Sequence, residues 1–422
     1  VLSIRGNWPL VPTMDVVVPH ARSMADMAEI LEVIAQPDPE TRGDFWRSQR
    51  WVPLPKPDLR HREGLAGKRF ALPRLYANAD PEAGTAADPG IGGPTGQAIE
   101  TRPSILALLD QAVAALRGAG AEVVLSDFPL IENYEGDRPG RPKIWDRLPQ
   151  GFKEREILDL SVWSWDDFLR ANGHPGLAQI DGDLIFPAPP GSLPDRYDGF
   201  GDALSVYPDH ARSHPVADFT QIPLIEEGCR GLEAIRRSDL EEWMDANGYD
   251  AVIFPALADI GKADADTNPA SADHAWKNGV WVANGNLAIR HLGVPTVTAP
   301  MGLTSDIGMP AGLTFAGRAG EDGRLLAFSA AFETLCPPPG LPPRTPPLPP
   351  VPHVAARTGQ PPRLTLTPEG QGHRLETSVP PVWLSVAGQV VPPETRRIEA
   401  APGALVLALY ADGQACLAEV PL

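Results

Sequence analysis

The fold is decided by residues 249–318, which read YDAVIFPA at 249–256, NGVWVANGNLAIRHLGVPTVTAPMG at 278–302 and GMPAGLTFAGR at 308–318. Three short apolar runs, at 250–254, 295–300 and 311–316, are bounded by Gly and Pro and predict strands. Residues 276–292 predict a helix between the first two of these strands. A strand, a helix and two further strands in this order predict an α/β unit.

The preceding part of the chain shows the same alternation. Residues 68–73 (KRFALP) and 121–125 (AEVVL) predict strands, and residues 104–116 between them repeat apolar side chains at helical spacing. A strand, a helix and a second strand favour a right-handed crossover with parallel strands. Amphipathic helices are predicted at 23–35 and 226–246. The fold class is therefore α/β.

The regular pattern is lost between about residue 130 and residue 220. This stretch is rich in Pro, Gly, Asp and aromatic residues, with one helix predicted at about 154–171. A long irregular segment in a compact domain is typically a lid or a disordered insert, and its aromatic content argues against disorder. We interpret residues 130–220 as a lid-like insertion, with Trp163 and Trp165 on a pocket wall. The alternative is a packed surface elaboration that never contacts a substrate.

The character of the sequence changes after Cys336. Ten of the sixteen residues from Pro337 to Pro352 are proline, which favours an extended and semi-rigid linker over 336–352. Residues 353–422 predict a small all-β module, with a hairpin around Asp412-Gly413. The predicted domains are thus an α/β domain at 1–335, the linker, and a β-rich module at 353–422.

Composition excludes several classes of partner. The net charge of −18, from 54 acidic and 36 basic residues, argues against a nucleic-acid surface. No apolar run approaches the ~20 residues that cross a bilayer, so no membrane contact is expected. Three cysteines without CxxC spacing favour a reducing compartment, and we expect a cytoplasmic protein.

The front of the chain carries a second recognisable pattern. Ser3, Gly6 and Pro9 are followed by PTMD at 12–15, ARS at 21–23 and Asp26. Together with residues 249–318, this pattern resembles the C-terminal portion of amidase-signature hydrolases, over about residues 3–334. The resemblance implies a mixed central sheet flanked by helices. It also implies hydrolysis of amide bonds by a serine nucleophile that is assisted by a second serine and a lysine.

That resemblance assigns no catalytic residue in this sequence. The family holds its nucleophile in a Gly/Ser-rich segment with two adjacent serines, and no such segment occurs here; the Gly-rich stretch at 90–96 has no serine. The chain alone is therefore expected to be inactive. No cofactor is expected, and the spacing of Asp259, Asp264, Asp266, Asp273 and His274 matches no common metal site.

The resemblance does suggest where a substrate pocket lies. It implies that residues 284–286 pack near the catalytic centre, which makes Asn284 and Asn286 pocket candidates together with the aromatic residues Trp276, Trp281, Trp163 and Trp165. The alternative is that Trp281 belongs to the core and Asn284 holds backbone. Asp15, Arg22 and Asp26 are interpreted as a structural ion-pair and capping cluster.

Three functions remain in competition at this point. The first is an amidase, in which the full-length protein hydrolyses carboxylic amide C–N bonds of small molecules, with a homodimer as one compatible assembly. The second is a non-catalytic amidase-like scaffold that binds a ligand or a partner. The third is a different hydrolase that uses Asp and His side chains of this chain.

Overall fold

The computed structural model describes residues 2–56, 58–59, 61–87, 98–173, 180, 206–278, 283–340, 362–411 and 413–421. Trp281, the Gly-rich stretch at 90–96 and most of the proline-rich linker lie outside the described residues. The chain divides into two compact units, Val1–Gly340 and Leu341–Leu422. Among the described helices, none has the length and apolar character needed to cross a bilayer.

The larger unit is built on a five-stranded sheet in the order β2-β1-β3-β5-β4. Its strands are β1 (Arg69–Pro73), β2 (Glu122–Ser126), β3 (Ala251–Pro255), β4 (Thr296–Leu303) and β5 (Pro310–Ala316). β1 pairs in parallel with β2 and β3, whereas β5 pairs antiparallel with β3 and β4. The prediction of an α/β fold around a mixed central sheet is confirmed.

The central strand β3 explains how the core is organised. All five of its residues are buried, as expected for a strand that is covered on both faces. Ala251 and Ile253 lie in one apolar cluster, with residues of the helices that cover that face. Val252 and Phe254 point the other way into a second cluster. The sheet is therefore the middle layer between two helical layers.

Helices flank both faces. Those of the described part are α1 (Met24–Ile34), α2 (Phe45–Ser48), α3 (Pro103–Gly118), α4 (Pro129–Glu135), α5 (Ile144–Arg147), α6 (Phe152–Glu154), α7 (Ser161–Asn172), α8 (Val206–Ser213), α9 (Ile225–Arg236), α10 (Glu242–Asn247), α11 (Pro269–Ala275), α12 (Asn286–His291) and α13 (Asp322–Leu335). Helices α3 and α13 contribute to the first cluster, and helices α4, α9 and α12 contribute to the second.

Two of the helical runs contain a π-turn. Residues 155–160 join α6 to α7, and residues 237–241 join α9 to α10, each with π-helical hydrogen bonding. The predicted helices at 154–171 and 226–246 therefore exist, but each is interrupted. π-turns of this kind occur frequently at functional sites.

The predicted helix at 276–292 is wrong. α11 ends at Ala275 and α12 covers only Asn286–His291. Between them, Ala283 forms an isolated bridge with Leu257, and Gly285 adopts a left-handed conformation with φ +68°. Residues 279–282, which carry part of the apolar spacing that suggested one helix, lie outside the described residues.

The range 130–220 contains more helices than the one predicted at 154–171. The described residues of that range contain α4 to α8. α5 and α6 have only three or four residues, too few to produce a helical apolar repeat in the sequence. α4 begins at Pro129, whose fixed φ suits the first position of a helix.

The described part of the smaller unit is all β. Its strands are β6 (Leu364–Glu369), β7 (Gly372–Thr377), β8 (Trp383–Val386), β9 (Gln389–Val391), β10 (Arg397–Ile398), β11 (Leu405–Leu409) and β12 (Ala415–Glu419). They form two antiparallel sheets, in the orders β10-β7-β6 and β12-β11-β8-β9, around a small apolar cluster. The predicted hairpin is the β11–β12 pair.

One glycine shows how closely the second helical layer is packed. A Cβ added to Gly228 in α9 would lie 2.0 Å from the fully buried Phe152 ring. We expect Gly228→Ala to lower the free energy of unfolding by about 1–2 kcal/mol, since overpacking outweighs the gain in helix propensity. Urea denaturation followed by tryptophan fluorescence measures this, because nine of the ten tryptophans precede residue 341.

Gly118→Ala is the matched control. Gly118 is also helical, but a Cβ there would meet no atom within 4 Å. This substitution should leave stability unchanged or raise it by up to about 1 kcal/mol. Equal effects of the two substitutions would contradict the close approach of α9 to Phe152.

Candidate ligand site at the carboxyl edge of the sheet

The parallel strands β1, β2 and β3 end at the same edge of the sheet. Ligands of open α/β sheets bind outside the carboxyl ends of such strands. The chain segments that leave this edge are residues 74–80 after β1, residues 127–138 after β2 and residues 256–259 after β3. They carry the polar side chains described below.

Helix α4, directly after β2, buries four consecutive polar residues. Glu132, Asn133, Tyr134 and Glu135 are each less than 10% exposed. A buried polar group is costly unless it is hydrogen-bonded or paired with a charge. Asn133 and Tyr134 have partners from distant parts of the chain, whereas Glu132 pairs with the nearby Arg138. This places α4 at the centre of the polar layer.

Glu132 belongs to an ion-pair cluster with Arg138 and Asp80. Arg138 Nη2 lies 3.0 Å from Glu132 Oε1, and Arg138 Nη1 lies 2.8 Å from Asp80 Oδ1. A second Arg138–Asp80 hydrogen bond makes this pair bidentate, a geometry that only arginine provides. Arg138 lowers the pKa of Asp80 below its ordinary value.

Asp137 adds a carboxylate that this cluster does not satisfy. It is 4% exposed, its Oδ1 accepts no hydrogen bond from the described residues, and Arg138 Nε is 3.9 Å away. Burial raises the pKa of Asp137 to about 7; Arg138 opposes the shift, and the charges of Glu132 and Asp80 add to it. Asp137 is therefore partly protonated near neutral pH, because burial disfavours its charged form.

Asn133 faces a second cluster. Its Nδ2 donates to Asp239 Oδ2 at 2.9 Å, and Asp239 lies in the π-turn between α9 and α10. Arg147 of α5 forms a bidentate pair with the same carboxylate. Asp239 thus ties three helices together.

Tyr134 begins a buried hydrogen-bonded chain of four side chains. Its hydroxyl lies 2.8 Å from Nδ1 of His291, whose Nε2 lies 2.7 Å from Oε1 of Glu156. The Thr13 hydroxyl donates to the same carboxylate oxygen at 2.6 Å. This chain connects α4, the end of α12, the first π-turn and the N-terminal segment. Its residues are at most 1% exposed, so its role is to hold these elements in place.

The segment after β1 is held against residues 98–101. Asn78 has φ +51°, and its side chain exchanges two hydrogen bonds with the backbone of Thr101, at 2.7 and 2.9 Å. The Thr101 hydroxyl donates to the Tyr76 carbonyl at 2.9 Å. Burial raises the pKa of Tyr76 well above its ordinary value, and the charges of Glu135, Asp137 and Glu132 add to this shift.

A cavity of about 280 Å³ opens beside this segment. Its lining residues are Leu75, Asn78, Asp80, Ala83, Ala98, Ile99 and Glu100. Apolar walls with a few polar groups are typical of small-molecule sites. A larger groove of about 470 Å³, between residues 61–64 and α13, lies by the amino end of β1. We assign the candidate site to the smaller cavity because it lies at the carboxyl edge.

The asparagines predicted from the sequence lie close to this edge. Asn284 is buried, and its Nδ2 donates to the Pro255 carbonyl at the end of β3, at 2.7 Å. Asn286 is half-buried and begins α12. Between them, the Cβ position of Gly285 lies 3.2 Å from the Tyr76 hydroxyl. The structure therefore brings the 284–286 segment against the segment that follows β1.

The predicted tryptophans are not gathered at one place. Trp276 is half-buried at the end of α11, two residues before Asn278, which hydrogen-bonds the Glu100 backbone in both directions. Trp163 packs on Phe219, with ring centroids 4.7 Å apart. Trp165 is fully buried in a separate apolar cluster. Neither Trp163 nor Trp165 lines the candidate cavity, and Trp281 lies outside the described residues.

Asp15, Arg22 and Asp26 do not come together. The Asp15 carboxylate accepts hydrogen bonds from the backbone of Leu10 and Val11, a local capping role. The Asp26 backbone N–H donates to Ser23 Oγ at the start of α1. Arg22 is exposed and forms no ion pair with Asp15 or Asp26 within the described part of the chain.

Among the acidic residues of the possible metal site, Asp259 forms ion pairs with two cations of this chain. Asp259 accepts from Lys277 Nζ and Arg102 Nη1, each at 2.8 Å. Although burial raises the pKa of Asp259, these two cations lower it to about 2. The described residues contain no group of three or more side chains arranged to hold a metal ion.

Sequence reasoning missed the polar layer around α4. The residues concerned are Asp80, Glu132, Asn133, Tyr134, Glu135, Asp137, Arg138, Glu156, Asp239 and His291. The run ENYEGDR at 132–138 carries five ionisable side chains within seven residues, and it begins seven residues after the end of the strand predicted at 121–125. This run of polar residues after a strand is the sequence signal that could have predicted the polar layer.

Comparison with known proteins finds likeness only among solved structures. No family model matches the sequence, and no curated protein does. A structure named PAM12A matches with 22% identity and a TM-score of 0.47, over 80% of this chain and 58% of that one. An amidase family protein from Bacillus anthracis gives 14% identity, a TM-score of 0.45, and 81% and 53% coverage.

Peptide amidase from Stenotrophomonas maltophilia gives 21% identity, a TM-score of 0.40, and 80% and 57% coverage. The chain spans little more than half the length of these three structures. The three TM-scores lie between 0.40 and 0.47.

Asp137 predicts a specific pH dependence of stability. Its pKa is 3.8 in an unconstrained chain and about 7 in the folded protein. The unfolded chain releases this proton first as pH rises, so the cost of folding grows between pH 4 and pH 7 and is then constant. We expect Asp137→Asn to raise the free energy of unfolding at pH 8 by about 4 kcal/mol and to leave it nearly unchanged at pH 4.

Urea denaturation at pH 4, 6 and 8 checks this expectation. Asp110→Asn on the exposed face of α3 is the control, and it should follow the wild-type profile. If the difference in free energy of unfolding between the wild type and Asp137→Asn does not vary with pH, the burial of the Asp137 carboxylate in the folded state is contradicted.

Proposed function

We propose that this chain forms the scaffold and part of the substrate-pocket wall of an amidase-signature hydrolase. In this proposal, the full-length protein cleaves the C–N bond of small carboxylic amides by serine-nucleophile acyl transfer. The observation that carries it is the sequence pattern of residues 249–318, whose middle segment lies at the carboxyl edge of the sheet beside a cavity.

The geometry around Gly285 supports a positioning role for this segment. Asn284 is anchored to the end of β3, while the left-handed Gly285 lets the backbone approach Tyr76, Ile131 and Ile289. Because each of these neighbours is fully or almost fully buried, none can move far to make room. The segment therefore has a fixed position, as a group that orients a substrate requires.

The roles of the chain's own residues follow from this arrangement. Leu75, Ala83, Ala98 and Ile99 exclude water from one end of a bound amide. The buried polar layer around α4 fixes the helices that carry the wall. The nucleophile and its assisting groups are not assigned to any residue of this sequence, so the acyl-transfer step itself is left to the full-length protein.

The alternative function is a ligand-binding scaffold without catalysis. The observation that favours it is that described residues of this chain line the cavity and form the ion-pair cluster behind Asp80. A scaffold of this kind would bind a small molecule without turnover, in the chain alone and in the full-length protein.

Gly285→Ala tests the proposed role in the full-length protein. Its Cβ would lie 3.0 Å from both Ile131 and Ile289 and would displace the 284–286 segment. We expect kcat/KM for amide hydrolysis to fall by about tenfold or more, since displacement of a positioning group by 1 Å costs up to ~100-fold. The measurement is release of ammonia or amine from a panel of small carboxylic amides.

Gly308→Ala is the matched control. Gly308 has nearly the same backbone strain, with φ +66°, but a Cβ there would meet no atom within 4 Å. Its kcat/KM should stay near wild type. No turnover of any amide by the full-length protein would favour the scaffold function. Turnover by the purified chain 1–422, abolished by mutating one of its own residues, would also overturn the proposal.

A further inference from the structure

The candidate cavity has an acidic character that hydrolysis of an amide does not require. Its two ionisable lining residues are Asp80 and Glu100, both carboxylates. The remaining lining residues are Asn78 and four apolar side chains. A ligand group that enters this cavity meets negative charge at two positions of an otherwise apolar wall.

The charge behind the wall has the same sign. Behind Asp80 lie the carboxylates of Glu132 and Asp137, which share Arg138 with it. Glu135 lies in the same region, since its charge, like those of Glu132 and Asp137, raises the pKa of the buried Tyr76. Two cations accompany these four carboxylates: Arg138 within the cluster, and Lys143, whose side chain lies over Gly136. When all of these side chains are ionised, as above pH 7, the group holds four carboxylates against two cations, an excess of two negative charges in a region that is largely buried.

A second observation points to a missing partner. Asp137 is more than nine-tenths buried, and its Oδ1 lies against this cluster without a hydrogen bond from the described residues. Buried carboxylate oxygens in folded proteins are normally hydrogen-bonded. An added positive charge next to Asp80 would stabilise the ionised form of Asp137, because an opposite charge nearby favours ionisation.

The rim of the cavity leaves Glu100 available to a ligand. Its side chain is 75% exposed, and its nearest cation, Lys277 Nζ, is 3.8 Å away. Lys277 lies closer to Asp259, at 2.8 Å. Asp80 has both oxygens on Arg138, but a carboxylate offers about four acceptor positions and can accept a further donor.

We propose that this cavity binds an organic cation, a primary ammonium group on a short alkyl chain, between the carboxylates of Asp80 and Glu100. The alkyl chain packs on Leu75, Ala83, Ala98 and Ile99, and the negative charge of the α4 cluster attracts the ammonium group. The further idea that this cation is one end of an amide substrate rests on the proposed function. The proposal of the binding site itself does not depend on it.

The test uses the chain 1–422 and n-butylammonium as the probe. Saturation-transfer NMR at pH 8, where Asp137 is ionised, should give saturable binding with a Kd on the order of 1 mM. Potassium butyrate and 1-butanol have the same chain length with negative and zero charge. Both should bind at least about tenfold more weakly, since the site selects by charge.

Two substitutions locate the site. Glu100→Gln changes an exposed side chain and should weaken n-butylammonium binding by about two- to fivefold. Asp137→Asn removes the buried charge and should weaken it by about tenfold. Asp110→Asn, on the exposed face of α3, should bind the probe as the wild type does.

Three results would overturn the cation site. These are the absence of saturable binding, equal binding of butyrate or butanol, and wild-type affinity in both Glu100→Gln and Asp137→Asn. Amide turnover has no part in this measurement. Failed hydrolysis with retained binding would overturn the proposed function alone, whereas hydrolysis without cation binding would overturn only the site.

Discussion

The structure depends on one constraint, the burial of four consecutive polar side chains on the short helix α4. A helix of seven residues has little stability of its own, and its polar residues would be costly in the core without partners. Two of the partners, Asp239 and His291, lie more than 100 positions away in the sequence. Residues 127–138 are therefore ordered by the larger unit as a whole.

This dependence explains why the candidate site forms at the carboxyl edge of the sheet. The ends of the parallel strands place residues 74–80, 127–138 and 256–259 side by side along one edge of the sheet. The polar contacts of α4 then hold these segments in position. The cavity lies where the Asp80 segment and residues 98–101 close over this layer. Apolar packing positions the elements, whereas the buried charges give the region its chemical character.

The strands and the long helices could be predicted from the sequence because each carries its own periodicity. β3 is a continuous apolar run, and α3 repeats apolar residues over sixteen positions. The polar layer could not be predicted in this way. Its partners are up to 157 positions apart, as with Tyr134 and His291, and no local pattern records such a pairing. The turn at Gly285 was missed for a related reason, since its conformation is set by contact with Tyr76 and Ile131.

The two π-turns have a consequence for how this sequence can change in length. A π-turn holds one residue more than an α-turn, so deleting one residue from 237–241 would restore ordinary helical hydrogen bonding. Because the turn takes up its extra residue locally, the deletion would leave the flanking parts of the helix nearly in place. It would redirect the side chains within the turn and carry Asp239 away from Asn133 and Arg147. The same holds for Glu156 in residues 155–160. Homologous chains that keep these pairs should conserve the number of residues in both helices, although a shorter count would make a more regular helix.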